Sequence, residues 1–166
     1  MREPVVIGFG GNVGTPAEIA ERFADARLEL VAAFGDVTAA LLYRSAPIGP
    51  AQPDFFNTAV KLFAKQTSPE ELLSMLHRIE RSYGRRRAHE QRFGPRALDL
   101  DILIVGSRVI HTPKLDVPHP RLHERRFALE PLVLVVGKDF EVPGLGRAGE
   151  LLSRVGDQRV EMIGAW

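Results

Sequence analysis

Two aspartates near the middle of the sequence have the residue type and spacing for chemistry. Asp99 and Asp101 interrupt an apolar run that is typical of a buried β-strand. Side chains of a strand alternate between its faces, so the two carboxylates share one face. That face is predicted to carry Asp99, Asp101, Leu103 and Val105, and the opposite face Leu98, Leu100, Ile102 and Ile104. Like charges this close repel each other, so a positive group is expected beside them.

The positive group can be an arginine or a metal ion. An ion pair with Arg96 would be a purely structural explanation, and it stays open at this point. A calcium loop would need a glycine-centred ligand pattern that is absent here, and zinc would want His or Cys, of which the chain has no Cys. Magnesium takes one or two carboxylates and completes its shell with water and phosphate oxygens. With arginines nearby, the pattern favours a nucleoside triphosphate bound with magnesium.

Composition indicates one globular domain over residues 1–166, since 45% of the residues are hydrophobic. The formal net charge is only +1, but six arginines form a phosphate-sized cluster: Arg81, Arg85, Arg86, Arg87, Arg92 and Arg96. The absence of cysteine excludes disulfides and thiolate catalysis and fits a reducing compartment. No leader and no apolar run of about 20 residues is visible, so we expect a cytoplasmic protein without a membrane span.

The elements that would position the aspartates follow the order strand, helix, strand, strand, helix, strand. Capping boxes at Thr15 and Ser68 predict the starts of two helices, which end at Gly35 and Gly84. Strands are predicted at Val5–Gly10, Val37–Arg44, Phe55–Ala64 and from Leu98 onward. This order predicts an α+β fold: a ferredoxin-like βαββαβ sandwich with a mainly antiparallel sheet, helices on one face and ligands on the other.

Three further segments have less regular patterns. Gly8–Gly14 lacks the third glycine of a dinucleotide-binding loop, because Val13 stands there, and is predicted to be a turn with positive φ. Gly106-Ser107 is predicted to turn a hairpin into residues 108–110, with 115–117 continuing the sheet edge. From Val133 onward we expect a loop, a short helix around residues 149–155 and a closing strand.

The segment Arg92–Ile104, with its Gly-Pro-Arg and Asp-x-Asp at fixed spacing, resembles the signature of the 6-hydroxymethyl-7,8-dihydropterin pyrophosphokinase family. The similarity extends to Ile7–Asn12, Val117–Pro120 and Arg125–Phe127. It implies transfer of pyrophosphate from ATP to the hydroxymethyl group of a reduced pterin, giving the pterin diphosphate and AMP in folate biosynthesis. ATP would be the co-substrate, and two Mg²⁺ ions the metal cofactor.

The resemblance also assigns roles to particular residues. The catalytic residues would be Arg92, Arg96, Asp99 and Asp101, with Asp99 and Asp101 as metal ligands. The ATP-binding residues would be His77, Glu80, Arg85, Arg87, Arg92, Ile102, Lys114, Asp116, His119 and Arg125. The pterin-binding residues would be Ser45, Ala46, Ile48, Phe55, Asn57, Phe93, Asp99 and Phe127. Phe55 and Phe127 would form the two walls of an aromatic slot.

Two alternatives remain from the residues alone. A single-stranded RNA-binding module shares the open sheet plan, and arginines can follow a phosphate backbone. Paired carboxylates on the sheet would repel RNA, however, so we expect neither nucleic acid nor a membrane as partner. Another magnesium-dependent nucleotidyltransferase would use the same Asp-x-Asp pair on a different acceptor. The expected partners are small molecules, and the expected state is a monomer.

Overall fold

Strands and helices alternate around one central sheet in the computed structural model, which describes residues 3–84 and 93–166. In chain order the elements are β1 (Val5–Gly11), α1 (Pro16–Phe34), β2 (Thr38–Ala39), β3 (Leu42–Ser45), β4 (Phe55–Leu62), α2 (Pro69–Ser82), β5 (Asp99–Val105), β6 (Ile110–His111), β7 (Asp116–Val117), α3 (Arg126–Val136), β8 (Glu141–Val142), β9 (Gly146–Arg147), α4 (Ala148–Ser153) and β10 (Val160–Gly164). A short 3-10 helix covers Leu122–Glu124.

The central sheet has the strand order β10-β3-β4-β1-β5, with β2 also paired to β4. Every pairing in it is antiparallel. The succession β1-α1-β3-β4-α2-β5 is the predicted βαββαβ order. The mixed, antiparallel α/β fold predicted from the sequence is therefore confirmed. No helix in the described part of the chain is long and apolar enough to span a bilayer.

The two long helices begin where the capping boxes predict. The Thr15 hydroxyl accepts from the Glu18 N–H at 3.2 Å, and the Glu18 carboxylate accepts from the Thr15 N–H at 3.0 Å. Ser68 and Glu71 repeat this exchange at 3.1 and 2.8 Å. Each box satisfies two N–H groups that the first helical turn leaves without a partner.

Helices α1 and α2 cover one face of the sheet with their buried stripes. The buried residues of these stripes are Ile19, Phe23, Ala26, Leu30, Leu72, Leu76 and Ile79. They pack against apolar residues of β1, β4 and β5. Phe34, Leu73 and Tyr83 pack against the same core but are only partly buried.

The sequence predicted helices on one face of the sheet and ligands on the other. In the structure, helices also cover part of this second face. Helices α3 and α4 pack there around a second core formed by Val6, Ala59, Leu103, Ile104, Leu129, Leu132, Val135, Ala148 and Leu151, among others. Contacts from α3 reach β4, β3 and β1. Helices thus lie on both faces, and a pocket remains only over part of the second face.

Two strand predictions need correction. The predicted strand Val37–Arg44 is split into β2 and β3. The Ala40 N–H still donates to the Ala59 carbonyl of β4 at 2.9 Å. The carbonyls of Ala40 and Leu41 instead accept from side chains, the Trp166 Nε1–H and the Thr58 hydroxyl, each at 2.8 Å. The segment after Gly106-Ser107 does not extend the central sheet. Strands β6 and β7 pair only with each other, as a separate two-stranded sheet.

The alternation predicted for β5 holds only as far as Leu103. The register with β1 shifts between Ile7, which faces Ile102, and Val6, which faces Ile104, so Leu103 is the extra residue of a β-bulge. Ile104 consequently enters the core under α3, and Val105 the core under α1 and α2. Both assignments are the reverse of the prediction.

Candidate active site

A pocket on the second face of the sheet contains most of the predicted site. The predicted residues that line it are Ser45, Ala46, Ile48, Phe55, Asn57, Phe93, Arg96, Asp99, Asp101, His119, Arg125 and Phe127. The remaining lining residues are Gly8, Phe9, Gly10, Thr58, Gly94, Leu103, Leu122 and Ala128. The strands bring together side chains that lie more than 80 positions apart in the sequence.

Glycines of β1 form the floor of this pocket between the aspartates and Asn57. Gly10 pairs with Asp99 on one side and Asn57 on the other, and Gly8 pairs with Asp101. A Cβ on Gly10 would lie 3.6 Å from Asn57 Oδ1 and 3.9 Å from Asp99 Cβ. Two glycines on one face of β1 therefore leave open space beside both carboxylates.

The predicted strand Val5–Gly10 contains both glycines and agrees with β1, whereas the turn predicted over Gly8–Gly14 begins too early. Gly8 to Gly11 belong to β1, and the positive φ occurs only later in that segment, at Gly14 (φ 100°). The spacing of Gly8 and Gly10 by two residues was the available signal, because residues two apart share a face of a strand.

Asn57 presents a polar edge between aromatic side chains. It is 4% exposed, and its Nδ2 donates to the Ser45 hydroxyl oxygen at 2.8 Å. This bond directs the amide so that Oδ1 lies next to the open space above Gly10. Phe55 and Phe127 line the same pocket, so a flat heterocycle would meet aromatic rings and an amide oxygen together.

His119 and Arg125 supply the basic side of the pocket. The backbone N–H of His119 donates to the carbonyl of Leu103, the bulged residue, at 2.9 Å. Its Nδ1 accepts from the Arg121 N–H at 3.2 Å, so the neutral ring carries its proton on Nε2. Burial first and the charge of Arg125 second lower the pKa of His119 from 6.5 to about 4. The ring is therefore neutral near pH 7 and can donate a hydrogen bond.

Arg125 is partly buried and lies near other charged side chains. Burial, followed by the nearby charge of Arg121, lowers its pKa, although Asp101 and Asp99 oppose this effect. Its Nε is buried and, within the described residues, makes no hydrogen bond. A buried donor of this kind is costly unless something accepts from it. An anionic ligand in the pocket would supply such an acceptor.

Asn12 and Gln52 were missed by the sequence analysis, although they tie three segments of the pocket rim together. Asn12 is 2% exposed; it donates to Gln52 Oε1 and accepts from the Arg96 N–H, both at 2.9 Å. Gln52 Nε2 donates to the Phe93 carbonyl at 2.6 Å. The partners are separated by 40 or more positions, so no local pattern indicates them.

The remaining predicted residues lie away from the lining. Glu80 is 1% exposed, and its Oε2 accepts from the Leu100 N–H at 2.8 Å. The side chain of Ile102 belongs to the core under α1 and α2. Asp116 Oδ1 lies 2.9 Å from Nδ1 of His111. His77 lies half-buried on α2, and Lys114 is exposed.

Arg85, Arg87 and Arg92 lie outside the described residues. The structure shows which predicted residues line the pocket, but the binding and catalytic roles of all of them stay predictions.

The carboxylate pair has a donor set that suits magnesium. Asp99 and Asp101 stand on one face of β5, beside a pocket whose other side is basic. Magnesium binds through one or two carboxylates and takes its other ligands from water and substrate phosphates. A phosphate held near His119 and Arg125 would complete such a shell.

Comparison of the fold finds the same architecture in solved structures. Two crystal structures of Plasmodium falciparum HPPK-DHPS, one with STZ-DHP and one with pteroate, match with TM-scores of 0.68 and 0.69. Each match covers 93% of this chain at 13% identity. The chain spans less than half of those structures, 45% and 42% of their lengths. At this identity the likeness concerns the fold alone.

Comparison of the sequence defines the family. The family model for 7,8-dihydro-6-hydroxymethylpterin-pyrophosphokinase (HPPK) matches residues 6–137. A 2-amino-4-hydroxy-6-hydroxymethyldihydropteridine pyrophosphokinase of Synechocystis is 37% identical over 97% of this chain and 78% of its own length. One of Haemophilus influenzae is 35% identical over 93% of this chain and 94% of its own length. The chain belongs to the HPPK family.

Proposed function

We propose that the protein transfers the β,γ-pyrophosphoryl group of ATP to the hydroxymethyl group of 6-hydroxymethyl-7,8-dihydropterin, in folate biosynthesis. The observation that carries the proposal is the pocket itself, which joins a carboxylate pair to an aromatic slot with a buried amide. Membership of the HPPK family names the two substrates. The comparisons give no support to the RNA-binding module or to a different nucleotidyltransferase.

The pterin would occupy the aromatic side of the pocket. Its flat ring would lie between Phe55 and Phe127, with Phe93 closing the slot. Asn57 Oδ1 would accept from the N–H groups of the ring edge, while Ser45 keeps the amide in that orientation. Ala46 and Ile48 would complete the wall.

ATP would place its phosphates on the basic side. His119 would donate from Nε2, and the buried Arg125 Nε would gain an acceptor. Arg96 would meet the same phosphates if its guanidinium leaves the carbonyls of Gly94 and Pro95, to which it donates at 2.8 and 3.1 Å. Charge-assisted bonds of this type are stronger than neutral ones.

The reaction needs no nucleophile from the protein. The pterin hydroxyl oxygen forms a bond to the β-phosphorus, the bond from that phosphorus to the α,β-bridging oxygen breaks, and AMP leaves. The hydroxyl proton passes to solvent. Asp99 and Asp101 would hold magnesium, which neutralises charge on the phosphate oxygens when it is bound. Two ions are proposed here because the resemblance to the HPPK family implies them.

The remaining contacts and the state of the protein belong to the same proposal. His77, Glu80, Ile102, Lys114, Asp116 and the three arginines Arg85, Arg87 and Arg92 are proposed to serve the nucleotide. Arg92 and Arg96 are proposed to stabilise charge in the transition state. Residues 1–166 are proposed to act as one domain and as a monomer.

Asp99→Asn and Asp101→Asn, made separately, test this function. Release of AMP is measured with ATP, magnesium and the reduced pterin, and pterin binding is measured by calorimetry. We expect turnover to fall at least about a hundredfold in each variant, with a smaller loss of pterin affinity, because the metal acts chiefly on the transition state. Asp139→Asn, an exposed carboxylate after α3, is the matched control.

Two results would count against the proposal. Turnover of Asp99→Asn and Asp101→Asn equal to that of Asp139→Asn would remove the carboxylates from the reaction. Calorimetry of the wild type with a non-hydrolysable ATP analogue and magnesium gives the second: tight binding of the analogue without any binding of the pterin would assign the acceptor to another molecule.

A further inference from the structure

Arg22 of α1 contacts the backbone just before the carboxylate pair without lining the pocket. Its Nη1 donates to the Ala97 carbonyl at 2.8 Å and to the Val13 carbonyl at 3.0 Å. Ala97 follows Arg96 and precedes Asp99 by two residues. One guanidinium thus joins the segment that enters β5 to the segment that leaves β1.

Arg22 acts where the ladder between β1 and β5 ends. The last pair of that ladder is Gly10 with Asp99. Beyond it, the two chains remain close: a Cβ on Gly11 would lie 2.7 Å from the Ala97 carbonyl oxygen. Beyond the end of the ladder, the Ala97 carbonyl accepts a hydrogen bond from the Arg22 side chain instead of from a backbone N–H of β1.

A second contact beside Arg22 keeps the same two segments in register. The Asn12 N–H donates to the Arg96 carbonyl, and the Arg96 N–H donates to Asn12 Oδ1, each at 2.9 Å. These bonds fix Arg96 relative to the end of β1, and the bond from Arg22 fixes the next residue, Ala97. The two amide protons of Asn12 and Arg96 therefore report on this docking.

The helix that carries Arg22 is itself firmly placed. Its capping box is complete, and Ile19 and Phe23, on either side of Arg22 in the sequence, are 1% and 0% exposed. A hydrogen bond from a side chain on a rigid helix can fix the position of the loop that accepts it, whereas a hydrogen bond from a mobile loop cannot.

We propose that Arg22 is a positioning residue of the active site: it holds the backbone at Ala97 so that Arg96 and Asp99 enter the pocket in a fixed register. The consequence for turnover rests on the proposed function, and the consequence for the backbone does not. Misplacement of reacting groups by about 1 Å is enough to lower turnover strongly.

Arg22→Met tests this role, because methionine keeps part of the apolar stem and removes the guanidinium with both of its hydrogen bonds. Arg27→Met is the matched control, since Arg27 lies on the same helix with its guanidinium over the Trp166 ring at 4.3 Å. Arg22→Lys retains a donor and a charge on a shorter chain. All three are compared with wild type by amide hydrogen exchange in the absence of ligands and by steady-state kinetics.

We expect the Asn12 and Arg96 amides of Arg22→Met to exchange about tenfold faster than in Arg27→Met, from the loss of a hydrogen bond to a charged group. The kcat should fall about tenfold or more, while pterin affinity changes less than about twofold. Arg22→Lys should recover part of both effects.

Two outcomes for Arg22→Met would overturn the proposal: unchanged exchange at Asn12 and Arg96, whatever the kcat, or faster exchange with wild-type kcat. Wild-type protein without any turnover would instead refute the proposed function. In that case the exchange measurement still decides whether Arg22 holds this segment.

Discussion

Acidification should destabilise the unliganded protein through His119. Burial, reinforced by Arg125, lowers the pKa of this imidazole to about 4 in the folded protein, against 6.5 for an unperturbed histidine. Between these two values the unfolded chain binds the proton and the folded protein does not. Stability from the neutral ring is therefore complete above pH 6.5 and is lost as the pH falls towards 4.

The size of the His119 effect follows from the two pKa values. The unfolded ring takes up its proton below about pH 6.5 and the folded ring only below about pH 4. The loss of stability is therefore about 2 kcal/mol at pH 5 and levels off at about 3 kcal/mol below pH 4. This loss is a large fraction of the typical free energy of unfolding of a protein, about 5–15 kcal/mol, so denaturant unfolding should detect it.

The assay is urea unfolding of wild type and His119→Asn at pH 8 and pH 5. Asparagine can keep an acceptor for the Arg121 N–H through Oδ1 but has no group that titrates. Wild type should lose about 2 kcal/mol more than the variant between these pH values. The exposed His123→Asn serves as control and should behave as wild type. Equal losses in wild type and His119→Asn, or an NMR titration of His119 near pH 6.5, would refute the reasoning.

Two further predictions concern the scaffold. Glu80→Ala should lower the free energy of unfolding by about 1–3 kcal/mol, because the buried Leu100 N–H loses its acceptor. Glu80→Gln keeps an acceptor oxygen and should be destabilised less. Urea denaturation measures both variants, and equal stability of Glu80→Ala and wild type would contradict this prediction. Thr15→Ala and Ser68→Ala should each lower the free energy of unfolding by about 1 kcal/mol, and the two losses should add, since the capping boxes lie on different helices. Urea denaturation of the double variant checks this. A departure from the sum by more than about 0.5 kcal/mol would show that the two helix starts are coupled.

Features of the fold that depend on near neighbours could be predicted from the sequence. Each capping box involves residues three positions apart, and each helical stripe repeats every three or four positions. The pairing of Asp99 with Asp101 on one face needs only the two-residue period of a strand. Their access to a common pocket with Phe55, Asn57 and Phe127 came from the resemblance to a family, not from any local period.

Contacts between distant segments could not be predicted. The break between β2 and β3 involves a bond from Trp166 to Ala40, 126 positions away. The bond from Arg22 to Ala97 spans 75 positions, and the bond from Asn12 to Gln52 spans 40. The position of α3 and α4 over the pocket face was not predicted for a similar reason: the apolar residues of a helix do not state which face of the sheet the helix covers.

The bulge at Leu103 shows why apolar sequence leaves strand register open. Leu103, Ile104 and Val105 are apolar, so either register buries them; only pairing with Val6 and Ile7 selects the observed one. The choice matters because the Leu103 carbonyl accepts from the His119 N–H, which places the ring beside the face that carries Asp99. An irregularity in β5 thus connects the carboxylate side of the pocket to its basic side. Within the aspartate pair the register is fixed more strongly, since a one-residue slip would turn both carboxylates into the core under α1 and α2.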